Sequence, residues 1–572
     1  MKNLHISRII LKFFTLALLL PTLLIARGQE TDTRFYFGVD LSYVNEMEDC
    51  GAVYHENGEP RDPFALFAEH GATLVRARLW HNPDWTHYST LEDVKRTFSR
   101  ARDVGMSTLL DFHYSDNWAD AGTQEIPVGW QDMDDDELAN AVYQYTYDVL
   151  MELHADSLVP AFVQVGNETN SGILKREGER EWSRDAQLFN AGLRAVRDVA
   201  AETNTNPQIL LHVAQPENTG WWFTQAEAAG ITDYDVIGVS YYPQWSTFSI
   251  ADMGAQVSYL RRRFGKEVMV LETAYPWTRD AVDETADNIL NQGIRGYPFS
   301  PEGQYRFMTD LTQSLISNGA LGVVYWEPAW VSTQCFTRWG QGSHWENATF
   351  FDFHNNNELL EGIDFLSDDY LHPDGLVDGL IEEAYGNPFI EDDISDVLDN
   401  ITALDLDNLY MRADENMISL AMTVAGDAYA ERGNYLIYFD TTHDRQGADI
   451  DVGRRPITVA DPYKPEFRLD ISIVEERGTV SGSYVLNMWV ENAWEQIIFT
   501  GGAAILAGET SVIEIQVPRA LLRNPQILNI AVLSTDRGRV HTAGDILGTA
   551  FTLPDWSDEL VLDVFSRFDL SD

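Results

Sequence analysis

Two glutamates have the spacing expected of a paired acid and nucleophile. Glu168 and Glu272 each directly follow an apolar, strand-like run, and about three βα units separate them. Two carboxyl groups about 5 to 5.5 Å apart perform retaining glycoside hydrolysis, one as acid/base and the other as nucleophile. The alternative is that one of them is a structural ion-pair partner, for example Glu272 with Arg78.

The region that carries both glutamates alternates short apolar strands with amphipathic helical stretches from residue 36 to about 388, which is typical of βαβ units. Eight strands are predicted, enough for a closed (β/α)8 TIM barrel. Their predicted bounds are 36–41, 73–79, 107–112, 161–166, 208–213, 235–240, 267–271 and 321–326. Active sites of such barrels lie at the C-terminal strand ends, so both glutamates fall on the catalytic face.

Tryptophans are frequent where the predicted strands end and in the long last loop. Indole rings there can stack on the apolar faces of sugar rings, and neighbouring Asn, Asp and His side chains can bind hydroxyls. Packing in the core is the alternative for each of them. The tryptophans are Trp80, Trp118, Trp326, Trp330, Trp339 and Trp345.

Composition excludes several classes of protein. The chain has 39 basic and 90 acidic residues, a formal net charge of −51, which excludes a binder of nucleic acid or of an anionic membrane. With 44% apolar residues it is not disordered throughout. An uncharged polysaccharide tolerates such a charge. Salt-adapted surroundings and ordinary solvation both explain the acidic surface.

Residues 1–28 have the pattern of a secretory signal peptide. Lys2, Arg8 and Lys12 precede the apolar run 13–25, which is too short to span a bilayer. An uncleaved N-terminal anchor is the alternative. We therefore expect a protein secreted to the periplasm or the exterior, without membrane attachment after signal removal, and a monomer.

The pattern changes near residue 391. After the acidic stretch 391–399, strand-like alternation replaces the helical period, as in 467–473 and 513–517. This predicts a barrel at 29–390 followed by an all-β domain at 391–572, with a sandwich as the expected form. Carbohydrate binding and a purely structural role are both open for this domain.

Seven stretches in register resemble glycoside hydrolase family 53, the arabinogalactan endo-β-1,4-galactanases of clan A. The resemblance covers the barrel and stops near residue 390. The stretches are FGVDLS (37–42), RARLW (76–80), DFHYSDNWAD (111–120), QVGNE (164–168), VSYYP (239–243), ETAYPW (272–277) and YWEPAW (325–330).

The resemblance implies hydrolysis of β-1,4-galactan, the side chain of type I arabinogalactan, with retention of configuration. Glu168 would be the acid/base and Glu272 the nucleophile, kept ionised and oriented by Arg78 and Tyr241. Asn167 would hold the 2-hydroxyl of the sugar that is cleaved, and Trp326 would floor the subsite. The predicted substrate-binding residues are Asn167, Arg78, His113, Asp116, Asn117, Trp118, Tyr241, Trp326 and Trp330.

The chain departs from the family pattern in two places. Ala121 follows Asp120 where the family has proline, a change expected to touch no catalytic group. Bacterial members often bind calcium after strand seven, where this chain offers oxygen ligands at a different spacing, with surface solvation as the alternative. The calcium candidates are Asp280, Asp283, Asp287 and Asn288. The chemistry itself requires no cofactor.

Cys50 and Cys335 are the only cysteines, and an oxidising compartment makes a disulfide the first hypothesis. They lie nine residues past predicted strands one and eight, which are neighbours in a closed barrel. Two separate buried thiols are the alternative.

Two other functions remain compatible with the sequence. Another clan A endo-glycanase, acting on mannan, xylan or cellulose, would share the two glutamates and differ in its loops. A glycan-binding protein without turnover is the non-enzymatic alternative, which the intact pair of Glu168 and Glu272 disfavours.

Overall fold

The computed structural model describes residues 35–572 except 179, 290–292, 339, 373–374, 376, 393–396, 398–400, 444, 454–455, 460–462, 477–478, 536–543, 549–559, 563 and 571–572. The predicted signal peptide at 1–28 lies outside these residues. None of the described helices has the length and apolar character needed to cross a membrane.

Eight parallel strands form the predicted barrel, and each begins and ends within two residues of its predicted bounds. They are β1 Tyr36–Asp40, β2 Leu74–Leu79, β3 Ser107–Phe112, β4 Phe162–Val165, β5 Gln208–Ala214, β6 Val236–Ser240, β7 Glu267–Thr273 and β8 Gly322–Tyr325. Each strand pairs with its neighbours in sequence, and β1 closes the barrel by pairing with β8. The predicted TIM barrel is confirmed.

Helices surround the barrel, and several begin at a side-chain N-cap. They are α1 Val44–Asp49, α2 Pro63–Glu69, α3 Leu91–Asp103, α4 Asp135–Ala155, α5 Trp182–Thr203, α6 Pro216–Ala228, α7 Ile250–Phe264 and α8 Pro301–Ser317. Helix α2 is capped by Asp62, α7 by Ser249 and α8 by Ser300. Helix α4 has a capping box between Asp134 and Glu137. Helix α3 begins after the N-cap Thr90, whose side chain accepts from the backbone of Asp93, and Ser89 before it takes a left-handed conformation.

The barrel interior is divided into two layers. At the N-terminal end, apolar side chains such as Leu109, Leu210 and Met269 fill the interior. Towards the C-terminal end the inward side chains are ionised or polar, among them Arg76 and Asp111, both at most 1% exposed. The apolar layer closes the barrel, and the polar layer lies beneath its catalytic face.

A disulfide joins Cys50 to Cys335, with a Cα–Cα distance of 5.7 Å. Cys50 directly follows α1, and Cys335 lies in the long loop after β8. The predicted bond is therefore present, and it ties the first loop of the catalytic face to the last.

The C-terminal region is all β apart from short helical turns such as α9, Ala428–Glu431. Its main strands are β9 Ile390–Glu391, β10 Leu406–Ala413, β11 Met417–Val424, β12 Asn434–Asp440, β13 Phe467–Glu476, β14 Thr479–Val490, β15 Ala493–Ile497, β16 Ala503–Leu506, β17 Ser511–Pro518, β18 Ile527–Thr535, β19 Asp545–Ile546 and β20 Ser566–Asp569. One sheet has the order β9-β10-β11-β17-β16. The other has the order β15-β14-β13-β12-β18-β19, with β20 also paired to β18. Side chains of both sheets share one apolar core, as in a sandwich.

The β domain packs against the side of the barrel. Ala251 and Ala255 of α7 lie in the apolar core of the sandwich. The side chain of Asn318 accepts a hydrogen bond from the backbone of Ala503 at 3.0 Å, and Asp252 accepts one from Tyr484 at 3.1 Å. Residues 35–572 form one compact unit, so the independence of a domain ending at 390 stays a prediction.

Candidate active site

Glu168 follows β4 at the mouth of the barrel, where its backbone turns into the left-handed region with a φ of 42°. Its Oε1 accepts a hydrogen bond from Ser240 Oγ at 2.6 Å. Its own N–H donates to His212 Nδ1 at 3.3 Å.

Glu272 lies near the end of β7 and is 7% exposed. Its Oε1 is 2.9 Å from Arg76 Nη1, and its Oε2 accepts a hydrogen bond from Tyr242 Oη at 3.1 Å. Ser240, which holds Glu168, is paired with Glu272 across β6 and β7. The two glutamates therefore share the last residues of β6 as a common support.

Arg76 is the centre of a buried ionic network. Its guanidinium is 2.8 Å from each of Asp40 and Asp111, and it also donates to Asn167 Oδ1 at 2.8 Å. Together with Glu272, three carboxyl groups surround this one cation, which is 1% exposed. The network fixes Asn167 and Glu272 relative to each other.

Arg78 and Tyr241, which we expected to orient Glu272, do not do so. Arg78 pairs with Glu327 at 3.2 Å, and Tyr241 donates to the backbone oxygen of Phe248. Arg76 and Tyr242 contact Glu272 instead, in the roles that were predicted for Arg78 and Tyr241.

Strand geometry explains both errors. Side chains two residues apart on a strand share a face, so Arg76 and Arg78 both point inward and only depth separates them. The β6–β7 pairing shifts register between Val239 and Ser240, so the sequence does not show which of Tyr241 and Tyr242 faces the barrel.

Burial changes the protonation of both glutamates. It raises the pKa of Glu272 to about 8; Arg76 opposes this shift, and the nearby carboxylates, first of all Glu168, add to it. Burial also raises the pKa of Glu168, against the hydrogen bond from Ser240. Two interacting carboxyls titrate as a pair, and this pair holds a proton near neutral pH. Because Glu272 faces a cation and Glu168 accepts from a neutral donor, we assign the charge to Glu272 and the proton to Glu168.

A cleft of about 270 Å³ lined by tryptophans lies on the same face. Trp118 and Trp326 have ring centroids 6.0 Å apart, and Trp326 and Trp330 are also 6.0 Å apart. Asn288 and His344 complete the lining. His344 was missed by the sequence reasoning, although its place in the long last loop was a signal.

Not every predicted tryptophan lines this cleft. Trp345 is 3% exposed and donates to the backbone of Trp326, so it supports the cleft from behind. Trp80 is 2% exposed and packs edge-on to Trp118. Trp339 lies outside the described residues.

The predicted polar residues of the stretch 111–120 differ in their surroundings. Two of them support neighbouring groups, and the third is partly exposed. His113 is buried against Asp111 at 3.1 Å and accepts from the Ala119 backbone. Asp116 accepts from the backbones of Asn82 and Val128, so it organises loops. Asn117 is partly exposed, and its Oδ1 has no hydrogen-bond partner among the described residues.

The four calcium candidates do not assemble as one ligand set. Asp280 faces His354 at the surface, and Asn288 lines the tryptophan cleft. Asp283 accepts from Ser343, and both side-chain oxygens of Asp287 lack a partner in the described structure. The described residues include no group of three His, Cys, Asp or Glu side chains arranged to hold a metal ion. Calcium binding stays a prediction.

Two differently surrounded carboxyls at the C-terminal ends of barrel strands, beside an aromatic cleft, define a barrel glycoside hydrolase. The family model described as Glycosyl hydrolase family 53 matches residues 36–366. The chain belongs to this family and is an enzyme.

Known proteins support this assignment. The chain is 51% identical over 350 residues to an arabinogalactan endo-beta-1,4-galactanase of Cellvibrio japonicus, covering 60% of this chain and 93% of the relative. It is 35% identical over 310 residues to an endo-beta-1,4-galactanase of Bacillus subtilis, covering 52% and 70%. A solved GH53 catalytic domain of Ignisphaera aggregans superposes with a TM-score of 0.54 at 31% identity, covering 60% of this chain and 98% of that domain.

Proposed function

We propose that the protein is a secreted endo-β-1,4-galactanase that cleaves galactan and type I arabinogalactan with retention of configuration. The observation that carries the proposal is the unequal surroundings of the two glutamates. Glu272 faces the Arg76 cation, whereas Glu168 accepts a hydrogen bond from the neutral hydroxyl of Ser240. One carboxyl is suited to attack and the other to hold a proton.

In the first step, Glu272 attacks the anomeric carbon while Glu168 gives its proton to the departing glycosidic oxygen. This forms a glycosyl ester on Glu272 and releases the rest of the chain. In the second step, Glu168 takes a proton from water, and the resulting hydroxyl displaces Glu272 from the anomeric carbon. Two displacements restore the original configuration.

Substrate binding is assigned to the residues beside the pair. Asn167, fixed by Arg76, holds the 2-hydroxyl, and Trp326 forms the floor beneath the sugar that is cleaved. Trp118 and Trp330 continue this surface along the cleft. Asn117 is partly exposed and stays a proposed substrate-binding residue, although its Oδ1 is itself buried.

The direct test is release of reducing sugar from galactan, mannan, xylan and cellulose. We expect galactan to be cleaved to oligosaccharides whose new ends first appear as the β anomer by proton NMR. Preferred cleavage of another glycan would select a different endo-glycanase. Binding without release would select the glycan-binding alternative, and the α anomer would overturn retention.

We propose that the reaction uses no cofactor, since two carboxyl groups supply both the nucleophile and the proton. Dialysis against EDTA should leave kcat unchanged. A rise in melting temperature on adding calcium back would support a structural calcium site. Mass spectrometry of the secreted protein tests cleavage near residue 28, and light scattering tests the expected monomer.

A further inference from the structure

A cavity of about 620 Å³ lies where the barrel meets the β domain. Its barrel wall is the loop from Pro243 to α7, together with residues 294–297 of the loop after β7. Its other wall is residues 495–499, at the end of β15 and just beyond. Ligand pockets in proteins typically have volumes of about 300 to 1,000 Å³.

The cavity begins next to the candidate active site. Tyr242 donates to Glu272, and the next residue, Pro243, lines the cavity. Gln244 then donates to the backbone oxygen of Asn288, which lines the tryptophan cleft. The indole of Trp245 is 44% exposed. One short loop therefore borders both the cleft and the cavity and presents an aromatic ring to solvent.

The lining suits a neutral sugar chain. Phe248, Ile294 and Phe499 supply apolar surface. The polar lining includes Gln496 and side chains of both charges, Arg295, Arg306 and Glu495. Such a mixture binds the C–H faces of sugars and their hydroxyls together. Strand β15 is the edge of its sheet, so backbone groups along its outer side are also accessible.

Both walls are held in place before any ligand arrives. Asn318 bonds to the backbone of Ala503, and Asp252 bonds to that of Tyr484, which itself lines the cavity. Because its walls are already ordered, binding a ligand in this cavity costs little conformational entropy of the protein.

We propose that this cavity is a distal subsite that binds the galactan chain beyond the tryptophan cleft, with the side chain of Gln496 bonded to a sugar hydroxyl. The inference rests on the proposed galactanase function. It gives the β domain a direct part in substrate recognition, which the barrel alone cannot provide.

The test is Gln496→Ala in the full chain, which removes the proposed hydrogen-bonding side chain from an exposed strand position. The readout is the KM for polymeric galactan divided by the KM for a short galacto-oligosaccharide. Losing one or two hydrogen bonds should raise this ratio about 3- to 10-fold. Glu509→Ala, an exposed acidic residue of the β domain outside the cavity, is the control and should keep the wild-type ratio.

A wild-type ratio in Gln496→Ala overturns the subsite, as does an equal rise of KM for both substrates. If the wild-type enzyme cleaves no galactan at all, the proposed function fails instead. Calorimetry with long oligosaccharides in an inactive Glu272→Ala background gives a second measurement, in which Gln496→Ala should weaken binding about 3- to 10-fold.

A second inference comes from a hydrogen-bonded chain behind Glu168. His212 is fully buried, and its Nε2 is 2.8 Å from Ser240 Oγ, which donates to Glu168 Oε1. Its Nδ1 is the acceptor for the backbone N–H of Glu168. Asn167 Oδ1 also lies 3.0 Å from Nδ1, but that oxygen already accepts from Arg76.

These contacts determine which atoms donate. Because Nδ1 accepts a buried N–H, His212 carries its proton on Nε2 and donates it to Ser240. The single hydroxyl proton of Ser240 is then committed to Glu168 Oε1. That oxygen remains an acceptor.

We infer that Ser240, oriented by His212, directs the transferable proton of Glu168 to Oε2, the carboxyl oxygen that does not accept from Ser240. Both are positioning residues, since they act through Glu168. The loss of glycosylation rate on removing the Ser240 hydroxyl should therefore depend on how much protonation the leaving group needs.

Ser240→Ala should slow glycosylation about 10-fold for substrates with poor leaving groups. The loss should shrink to less than about 2-fold for aryl galactosides with good leaving groups, which need little acid assistance. Ser240→Thr keeps the hydroxyl and should restore most of the rate. An equal loss on both substrate types, or no loss at all, would overturn the inference.

Discussion

The mouth of the barrel buries charged side chains, whereas the core of the β-sandwich buries apolar ones. At the barrel mouth, Arg76 is surrounded by Asp40, Asp111 and Glu272 with almost no exposure. The sandwich core consists of apolar side chains from two facing sheets. Desolvating ions costs free energy that their attraction does not reliably return, whereas burying apolar area stabilises a fold directly.

This difference indicates that the buried charged residues serve catalysis, whereas the buried apolar residues stabilise the fold. The barrel obeys the same division internally, since its N-terminal end is filled by Leu109, Leu210 and their apolar neighbours. Variants of the two regions should therefore separate activity from stability.

The largest effect is expected at Glu272. Glu272→Ala removes the proposed nucleophile and should lower kcat at least about 10⁴-fold. Azide should restore part of the rate as a substitute nucleophile. Thermal unfolding should change little, because a carboxyl that burial disfavours has been removed. Unchanged turnover would exclude Glu272 from the chemistry.

Arg76→Met should affect both properties. It leaves Asp40 and Asp111 buried without their cation, which should cost about 3 to 5 kcal/mol of unfolding free energy. Activity should fall as well, because Glu272 loses the charge that keeps it ionised. Urea unfolding and galactan assays measure the two losses. Arg78→Met is the matched comparison, since Arg78 pairs with Glu327 instead.

Leu420→Ala tests the opposite case. Leu420 is 1% exposed in the sandwich core, so the cavity should cost about 2 to 5 kcal/mol of stability. The kcat per folded molecule should stay at the wild-type value. A fall in kcat at temperatures well below unfolding would show that the two regions are coupled.

The pH dependence should follow the raised pKa values. Burial raises the pKa of both glutamates, that of Glu272 to about 8 from an ordinary value of 4.5, so the folded pair holds a proton, assigned to Glu168, that the unfolded chain releases. The free energy of unfolding should fall as pH rises through that interval. Above about pH 8 the pair loses its proton, and kcat/KM should fall about 10-fold per pH unit. A loss beginning below pH 6 would contradict this assignment.

Removing the β domain should have the smallest effect on the chemical step. Every proposed catalytic residue lies within residues 29–390, so kcat on short oligosaccharides should stay within about 3-fold of wild type, less than 1 kcal/mol in barrier. The melting temperature should fall, because Ala251 and Ala255 become exposed. An insoluble chain would show that the sandwich is required to support the barrel.

Much of the fold could be predicted because its signals are local. All eight barrel strands could be located from apolar runs separated by amphipathic helical stretches. The periodicity of a strand or a helix is visible in consecutive residues. The disulfide followed from the same count, because barrel closure makes β1 and β8 neighbours. Glu168 and Glu272 were found because residues that end barrel strands face the mouth.

What the sequence could not determine was which neighbours reach those glutamates. Arg76 and Arg78 share one strand face. Only their different depths in the closed barrel determine that Arg76, and not Arg78, contacts Glu272. The register shift before Ser240 decided between Tyr241 and Tyr242. His212 and Ser240 come together across two strands, a contact that no local pattern encodes. Strand ends are set by local chemistry, whereas side-chain contacts across the mouth depend on the registers of all eight strands.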